Sequence, residues 1–151
     1  MMRRFKFEDE IYSSLYCVPM AVRRKLDRLG VKIGLKQWQA LGRGERLAIC
    51  HLPADSDEEA DALRTFIEET VKSRSGTPPK NIPDTDRMAA DPPADPPAAL
   101  VQNLNAVGIA LDSNAWSRLD SDQRYALVKL GGGKERSHNL RAAAAEFFGA
   151  R

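Results

Sequence analysis

The chain carries the stretch Leu26-Asp27-Arg28-Leu29-Gly30-Val31-Lys32-Ile33, and a related stretch, Leu104-Asn105-Ala106-Val107-Gly108-Ile109-Ala110-Leu111, follows later. Gly30 and Gly108 occupy equivalent positions in the two stretches, and the same offset in residue number relates the two tryptophans of the chain. The offset relates further pairs without a gap: Pro19 and Pro97, Trp38 and Trp116, Leu41 and Leu119, Arg46 and Arg124, Leu52 and Leu130. A repeat of this kind indicates two copies of one structural unit.

Both copies are predicted to be helical. In the first copy Val22, Leu26 and Leu29 fall on one helical face, and the glycine that follows can end the helix in the left-handed conformation. In the second copy Asp120 and Gln123 have the spacing of a capping box, which predicts a helix start. Each unit is therefore expected to contain a helix, a glycine turn, an apolar connector, a tryptophan turn and further helices.

The region between the copies is rich in proline: Pro78, Pro79, Pro83, Pro92, Pro93 and Pro96. Few large apolar residues accompany these prolines, so an extended linker is predicted. We therefore predict an all-α protein with a first helical module at 5–73, a Pro-rich linker at 74–96 and a second helical module at 97–149. Burial of apolar surface stabilises by ~25 cal/mol per Å², which favours packing both tandem modules as a single pseudo-twofold domain over 1–151.

Composition restricts the classes of protein to consider. The 151 residues are 42% hydrophobic and 29% charged, as in a soluble globular protein, and the formal net charge of +2 is too small to indicate nucleic-acid binding. The sequence has no apolar run long enough for a membrane span and no secretory signal pattern. Cys17 and Cys50 cannot form a disulfide framework and fit a reducing compartment, so a cytoplasmic location is predicted.

The repeated tryptophans and arginines are interpreted as structural residues. Trp38 and Trp116 occupy equivalent positions, which a repeated packing requirement explains better than two ligand-stacking sites. Arg46 and Arg124 keep their charge in both copies. A guanidinium that binds backbone carbonyls, or that packs along the tryptophan, would account for this.

No catalytic constellation is apparent in the sequence, and we expect neither catalytic residues nor a metal or cofactor. There is no CxxC spacing, and the adjacent Cys50 and His51 would point about 100° apart on a helix. Cys50 matches Val128 in the repeat, which indicates a packed thiol. Cys17 precedes a proline at an element boundary, and metal or cofactor handling through Cys17 is kept as an alternative function.

Charge is segregated along the chain. Basic residues concentrate in the first module: Arg23, Arg24, Lys25, Arg28, Lys32, Lys36, Arg43 and Arg46. Acidic residues concentrate in the following helix: Asp55, Asp57, Glu58, Glu59, Asp61, Glu68 and Glu69. These two groups are either solvated faces of opposite charge or a basic surface for an acidic protein partner. A nucleic-acid-binding regulator is a further alternative, less favoured because aromatic residues are not interleaved with the bases.

Two groups of residues resemble the signatures of a known family. The first contains Phe5-Lys6-Phe7-Glu8 and the run Cys17-Val18-Pro19-Met20-Ala21-Val22-Arg23-Arg24-Lys25-Leu26-Asp27-Arg28-Leu29-Gly30. The second contains Trp116, Leu119, Gln123-Arg124-Tyr125-Ala126-Leu127-Val128-Lys129-Leu130, Asn139-Leu140 and Glu146-Phe147. Over most of the chain outside the Pro-rich linker, the sequence resembles the nitrate-reductase-associated proteins.

The resemblance implies a function that the residues alone do not. Members are small soluble proteins found alongside assimilatory nitrate reductase, and the implied role is accessory: the reductase needs the protein to become active. The resemblance therefore implies a non-enzymatic maturation or assembly protein of a molybdenum-dependent nitrate reductase. Its expected partner is the reductase or an immature form of it.

Three arginines of the first module are predicted to contact this partner. Arg23, Arg24 and Arg28 follow one another closely in the first copy, whereas their second-copy equivalents are uncharged: Val101, Gln102 and Ala106. A duplicated scaffold with one binding face is expected to differ between copies in this way. These three arginines are therefore the predicted partner-binding residues.

Overall fold

The computed structural model describes residues 2–149, and these residues are mainly α-helical, as predicted. In the first half, a 3-10 turn at Lys6–Glu8 precedes helices α1 Asp9–Ser14, α2 Met20–Leu29, α3 Leu35–Ala40, α4 Arg43–His51, α5 Asp57–Ser75 and α6 Asp84–Met88. In the second half follow α7 Ala98–Ala106, α8 Ser113–Arg118, α9 Ser121–Gly131 and α10 Leu140–Phe148. A small antiparallel sheet of β1 Val31–Lys32 and β2 Lys80–Asn81, absent from the prediction, accompanies the helices.

The chain divides into two compact units. Within residues 2–149, the first unit contains residues 2–4 together with Glu8–Ala90, and the second contains Phe5–Phe7 together with residues 91–149. The predicted packing of both modules into a single domain stays a prediction, as do the module boundaries.

The core of the first unit is built around α5, whose Leu63, Ile67 and Val71 recur at every fourth residue and are fully buried. Ser56 starts this helix, because its side chain accepts the Glu59 N–H while the Glu59 carboxylate accepts the Ser56 N–H. The α5 face packs against apolar side chains from α2, β1, α3 and α4: Val22, Leu26, Leu29, Val31, Trp38, Ile49 and Cys50.

The segment predicted as an extended linker differs from that prediction over its first half. Lys80–Asn81 pairs with β1, the Ile82 N–H donates to the Gly30 carbonyl at 3.0 Å, and Ala90 is buried. Asp84–Met88 forms α6, which packs against α2. Two backbone-paired residues and a single helical turn bury little apolar surface, so they leave no hydrophobic periodicity for a sequence reading to detect.

The second unit has its own apolar core. The side chains of Leu100, Leu104, Trp116, Leu127 and Leu140 are almost fully buried. Gly131 ends α9 in close contact with this core, because a Cβ at Gly131 would lie 2.8 Å from Leu140 Cδ2. Phe5, Phe7 and Phe147 form an aromatic cluster in this unit. The ring centroids are 5.5 Å apart for Phe5 and Phe7, 5.2 Å for Phe5 and Phe147, and 6.0 Å for Phe7 and Phe147.

Corresponding helices in the two units begin at equivalent sequence positions. Helices α2 and α7 begin at Met20 and Ala98, and α3 and α8 begin at Leu35 and Ser113, each pair with the offset that relates Gly30 to Gly108. Helices α4 and α9 keep the same offset, beginning at Arg43 and Ser121. These are properties of each unit by itself, and the tandem repeat stays a prediction.

Candidate partner-binding surface

The three predicted partner-binding arginines lie on α2 in different environments. Arg23 and Arg28 are exposed. Arg24 is half-buried, and its Nε donates to the Ala90 carbonyl at 2.8 Å. The helical period places Arg24 and Arg28 one turn apart on the same side, with Arg23 about 100° away from Arg24. The structure therefore brings Arg24 and Arg28 together, gives Arg24 a bond to the backbone, and leaves Arg23 on a neighbouring face.

Helix α6, which lies in the segment predicted as a linker, places Arg87 and Met88 beside the arginines of α2. Arg87 donates from Nη2 to the Arg28 carbonyl at 3.2 Å, and its Nη1 lies 3.7 Å from Asp84 Oδ1. Its side chain covers Gly30, where an added Cβ would lie 3.1 Å from Arg87 Cδ. Met88 is 72% exposed, the largest exposure recorded for a large apolar side chain in residues 2–149. An exposed apolar side chain thus lies beside exposed guanidinium groups.

A cleft of about 470 Å³ lies between the end of α2 and the start of α5. Its charged lining residues are balanced in sign: Arg28, Arg64, Arg87, Asp55, Asp57 and Asp61. Arg64 donates from Nε and Nη2 to the Leu29 carbonyl at 2.9 and 2.6 Å. Two arginines of the cleft therefore bind carbonyls at the C-terminal end of α2, where a helix has no backbone partners of its own. The cleft is lined by charged side chains, and its arginines Arg64 and Arg87 bind carbonyls at the C-terminal end of α2.

The two tryptophans and their associated arginines are buried or half-buried and bind backbone. Trp38 donates from Nε1 to the Leu15 carbonyl at 2.7 Å, and Arg46 donates from Nη1 to the same carbonyl at 2.9 Å. In the second unit, Trp116 donates from Nε1 to the Ala94 carbonyl at 2.9 Å.

Arg124 combines two kinds of contact with Trp116. Its Nε donates to the Trp116 carbonyl at 3.1 Å, and its guanidinium carbon lies 5.5 Å from the centroid of the Trp116 ring. Cations at this distance from an aromatic face are attracted by the ring quadrupole. Arg124 thus binds a backbone carbonyl and lies over the ring of the same tryptophan.

Lys25 binds the end of a helix, a role that was not predicted from the sequence, where Lys25 was counted with the basic residues of the first module. Its Nζ donates to the Ile49, Cys50 and Leu52 carbonyls at 2.9, 3.1 and 2.8 Å, at the C-terminal end of α4. Burial lowers the pKa of Lys25 from its ordinary value.

The position equivalent to Lys25 in the second copy holds a different donor in a similar place. Asn103 donates from Nδ2 to the Gly131 and Gly133 carbonyls at 2.7 and 3.1 Å, at the end of α9. The constant offset between the copies was the signal that links these two positions, since lysine and asparagine share only the ability to donate to carbonyls.

Neither cysteine has the surroundings of a reactive thiol. Cys17 is half-buried, and burial raises its pKa. Cys50 is buried, and its pKa is raised by burial in spite of the opposing charges of Lys25 and Arg4. A raised pKa lowers the fraction of thiolate, which is the nucleophile and the metal ligand. Across residues 2–149, no three His, Cys, Asp or Glu side chains are grouped so that they would hold a metal ion.

The fold and these contacts define a small, mainly α-helical protein in which Arg46 and Arg124 bind backbone carbonyls beside the two buried tryptophans. The chain belongs to the conserved nitrate reductase-associated protein family, whose model matches residues 4–147. No curated protein and no solved structure matches the chain. In the part of the chain that the structure describes, every helix is too short or too polar to cross a membrane.

Proposed function

We propose that this protein is a non-enzymatic accessory protein that supports the maturation or assembly of a molybdenum-dependent nitrate reductase by binding it. The observation that carries the proposal is the family match over residues 4–147, since the family is described by its association with nitrate reductase. The half-buried or buried cysteines and the backbone-bound arginines give no support to a catalytic role. The two free thiols are consistent with a cytoplasmic location.

The α2–α6 surface, defined as Arg28, Arg87 and Met88 together with Arg23 on the neighbouring face of α2, is the part of the first unit best suited to this binding. Exposed cations on the same surface as an exposed apolar side chain fit a partner surface that combines acidic residues with an apolar contact. Charges of this kind mainly govern association rate and partner choice, while the apolar contact contributes to affinity. Arg24 is left out of the surface, because it is half-buried and its Nε binds the Ala90 carbonyl, whereas Arg87 is exposed.

The proposal includes a duplicated scaffold in which one copy has acquired the binding face. Three features support the duplication: helix starts that keep a constant offset, buried tryptophans at equivalent positions, and carbonyl-binding donors at Lys25 and Asn103. At the positions equivalent to Arg23 and Arg28, the second copy has Val101 and Ala106. Carbonyl-binding donors thus occur in both units, whereas exposed cations at these two positions occur in the first.

Charge reversal on this surface tests the proposal. In the double variant Arg23→Glu/Arg28→Glu, we expect the affinity for purified nitrate reductase to fall by at least about tenfold, because opposing charges become like charges. The measurement is titration calorimetry with the reductase, prepared both with and without its molybdenum cofactor.

A matched control separates this surface from net charge. Arg136→Glu/Arg141→Glu changes the net charge by the same amount at exposed positions of the second unit, and its affinity is expected to stay within about threefold of the wild type. Equal weakening by both double variants would contradict the surface. Absence of binding by the wild-type protein to either form of the reductase would contradict the proposed function.

A further inference from the structure

The connection between α1 and α2 is held in place by side chains of α3 and α4. The Leu15 carbonyl accepts from both Trp38 and Arg46, and the Tyr16 carbonyl accepts from Gln39 Nε2 at 3.2 Å. These contacts fix two successive peptide groups. The residues that follow the end of α1 therefore form a rigid platform.

The backbone of this platform has an unusual conformation. Leu15 has φ 53° and ψ 37°, in the left-handed region, and within residues 2–149 it is the one residue other than glycine with a positive φ. Branched side chains rarely adopt this region. The buried side chain of Leu15 and the two donors to its carbonyl hold it there. One consequence of the turn is that Leu15 points into the core while the next residue, Tyr16, points outward.

The platform displays an exposed apolar surface. Tyr16 is 44% exposed, and Leu35, one helical turn before Gln39 on α3, is 53% exposed. Helical side chains lean toward the N-terminal end of their helix, so the Gln39 side chain that binds the Tyr16 carbonyl lies over the turn containing Leu35. This places Leu35 on the side of α3 that faces the Tyr16 carbonyl. A half-exposed tyrosine on a fixed backbone is the type of residue that dominates binding energy at interfaces.

The exposed charges that α3 and α4 place on this side are basic, whereas α1 carries the exposed acidic residues Asp9 and Glu10. Lys36 follows Leu35 on α3 and is exposed, and Arg43 at the start of α4 is exposed and donates to the Ser13 carbonyl at 2.9 Å. The nearest acidic residue of α4, Glu45, is held by Arg74 at 3.0 Å. An acidic segment is therefore complementary in charge to the α3–α4 side of this surface.

We infer that Tyr16 and Leu35 form a second docking site, here called the Tyr16 surface, which takes a nitrate reductase segment with an apolar residue flanked by acidic residues. The inference rests on the proposed function for the identity of the partner. The Tyr16 surface lies on the α1–α2 connection and α3, not on α2 and α6. Its main contact is an aromatic side chain on a fixed loop, whereas the α2–α6 surface presents exposed arginines. Binding at two surfaces lets one small protein hold two parts of its partner at the same time.

Removal of the two apolar side chains tests the Tyr16 surface. In Tyr16→Ser/Leu35→Ser, the affinity for purified nitrate reductase is expected to fall by at least about tenfold in titration calorimetry. Leu52→Ser is the control, because Leu52 is 40% exposed and lies at the end of α4, outside the Tyr16 surface. Its affinity is expected to equal that of the wild type.

The outcomes of this experiment distinguish failure of the Tyr16 surface from failure of the proposed function. Wild-type binding that Tyr16→Ser/Leu35→Ser leaves unchanged overturns the Tyr16 surface and leaves the proposed function standing. Absence of wild-type binding overturns both. If the double variant does not fold by circular dichroism, benzoylphenylalanine at position 16 provides the second measurement. A photo-crosslink to a reductase peptide containing apolar and acidic residues supports the site, and no crosslink, or a peptide without acidic residues, overturns it.

Discussion

Trp38 combines burial with a directional contact, and both contribute to stability at the residue scale. Its side chain is fully buried, and its indole N–H satisfies the carbonyl of Leu15, whose backbone has the left-handed conformation. Trp116 has the same combination with the Ala94 carbonyl. Loss of either indole would leave both a cavity and a backbone carbonyl with fewer donors.

Alanine substitution of each tryptophan is therefore expected to destabilise the protein to a similar degree. Trp38→Ala and Trp116→Ala should each lower the free energy of unfolding by about 3–5 kcal/mol. Urea denaturation followed by circular dichroism measures this, with Leu52→Ala as an exposed control expected to change stability by about 0.5 kcal/mol or less. A cost below about 1 kcal/mol at one tryptophan and not the other would contradict the equivalent roles that the duplicated scaffold requires.

Individual side chains were predictable to different degrees. The structural interpretation of Arg46 followed from its charge being present in both copies, and its Nη1 does bind a carbonyl. Lys25 was counted with the basic residues of the first module and Arg64 was assigned no role, although both bind carbonyls at helix ends. Backbone carbonyls have no sequence identity, so a residue pattern cannot show which charged side chain will reach one.

At the scale of the helix, the start of α4 depends on Glu45. Its carboxylate accepts the Gly42 N–H at 2.7 Å and binds Arg74 at 3.0 Å. The hydrogen bond from Gly42, and then Arg74, lower the pKa of Glu45 from its ordinary value of 4.5. The equivalent residue of α9, Gln123, makes the same capping contact without a charge.

Glu45→Gln separates these two contributions through their pH dependence. The amide keeps the capping contact and loses the ion pair, so at pH 7 the variant is expected to be less stable by up to about 1 kcal/mol. Because the folded-state pKa is lowered, the contribution of the carboxylate is present above pH 4.5 and is lost as the pH falls through the lowered value. Urea denaturation from pH 7 down to pH 3 measures this difference. A difference that is constant over this range would contradict the assigned ion pair.

The elements that were predicted well are those with local signals. Asp120 and Gln123 predicted the start of α9, because the two residues of a capping box lie within one helical turn. Strand β2 and helix α6 depend on contacts with β1 and α2, which lie far earlier in the chain. The proline-rich composition of that segment indicated extended chain and gave no information on those contacts.

At the scale of the whole molecule, the candidate surfaces depend on packing between distant segments, which could not be predicted from the sequence pattern. Arg87 and Met88 belong to the α2–α6 surface only because α6 packs against α2. The loop that carries Tyr16 lies against α3, which carries Leu35, because Gln39 binds the Tyr16 carbonyl. The resemblance to the family, by contrast, was predictable from runs of residues and agrees with the family match over residues 4–147.

Deletion of the gene, with nitrate reductase activity and reductase protein level measured separately in the same cells, tests the accessory role most directly. The proposed function predicts that activity per reductase molecule falls strongly, because the enzyme polypeptide is made but does not become active. Re-expression of the wild-type protein should restore the activity, whereas Arg23→Glu/Arg28→Glu should restore it poorly. Cells that lack the protein and still reduce nitrate at the wild-type rate per reductase molecule would contradict the accessory role.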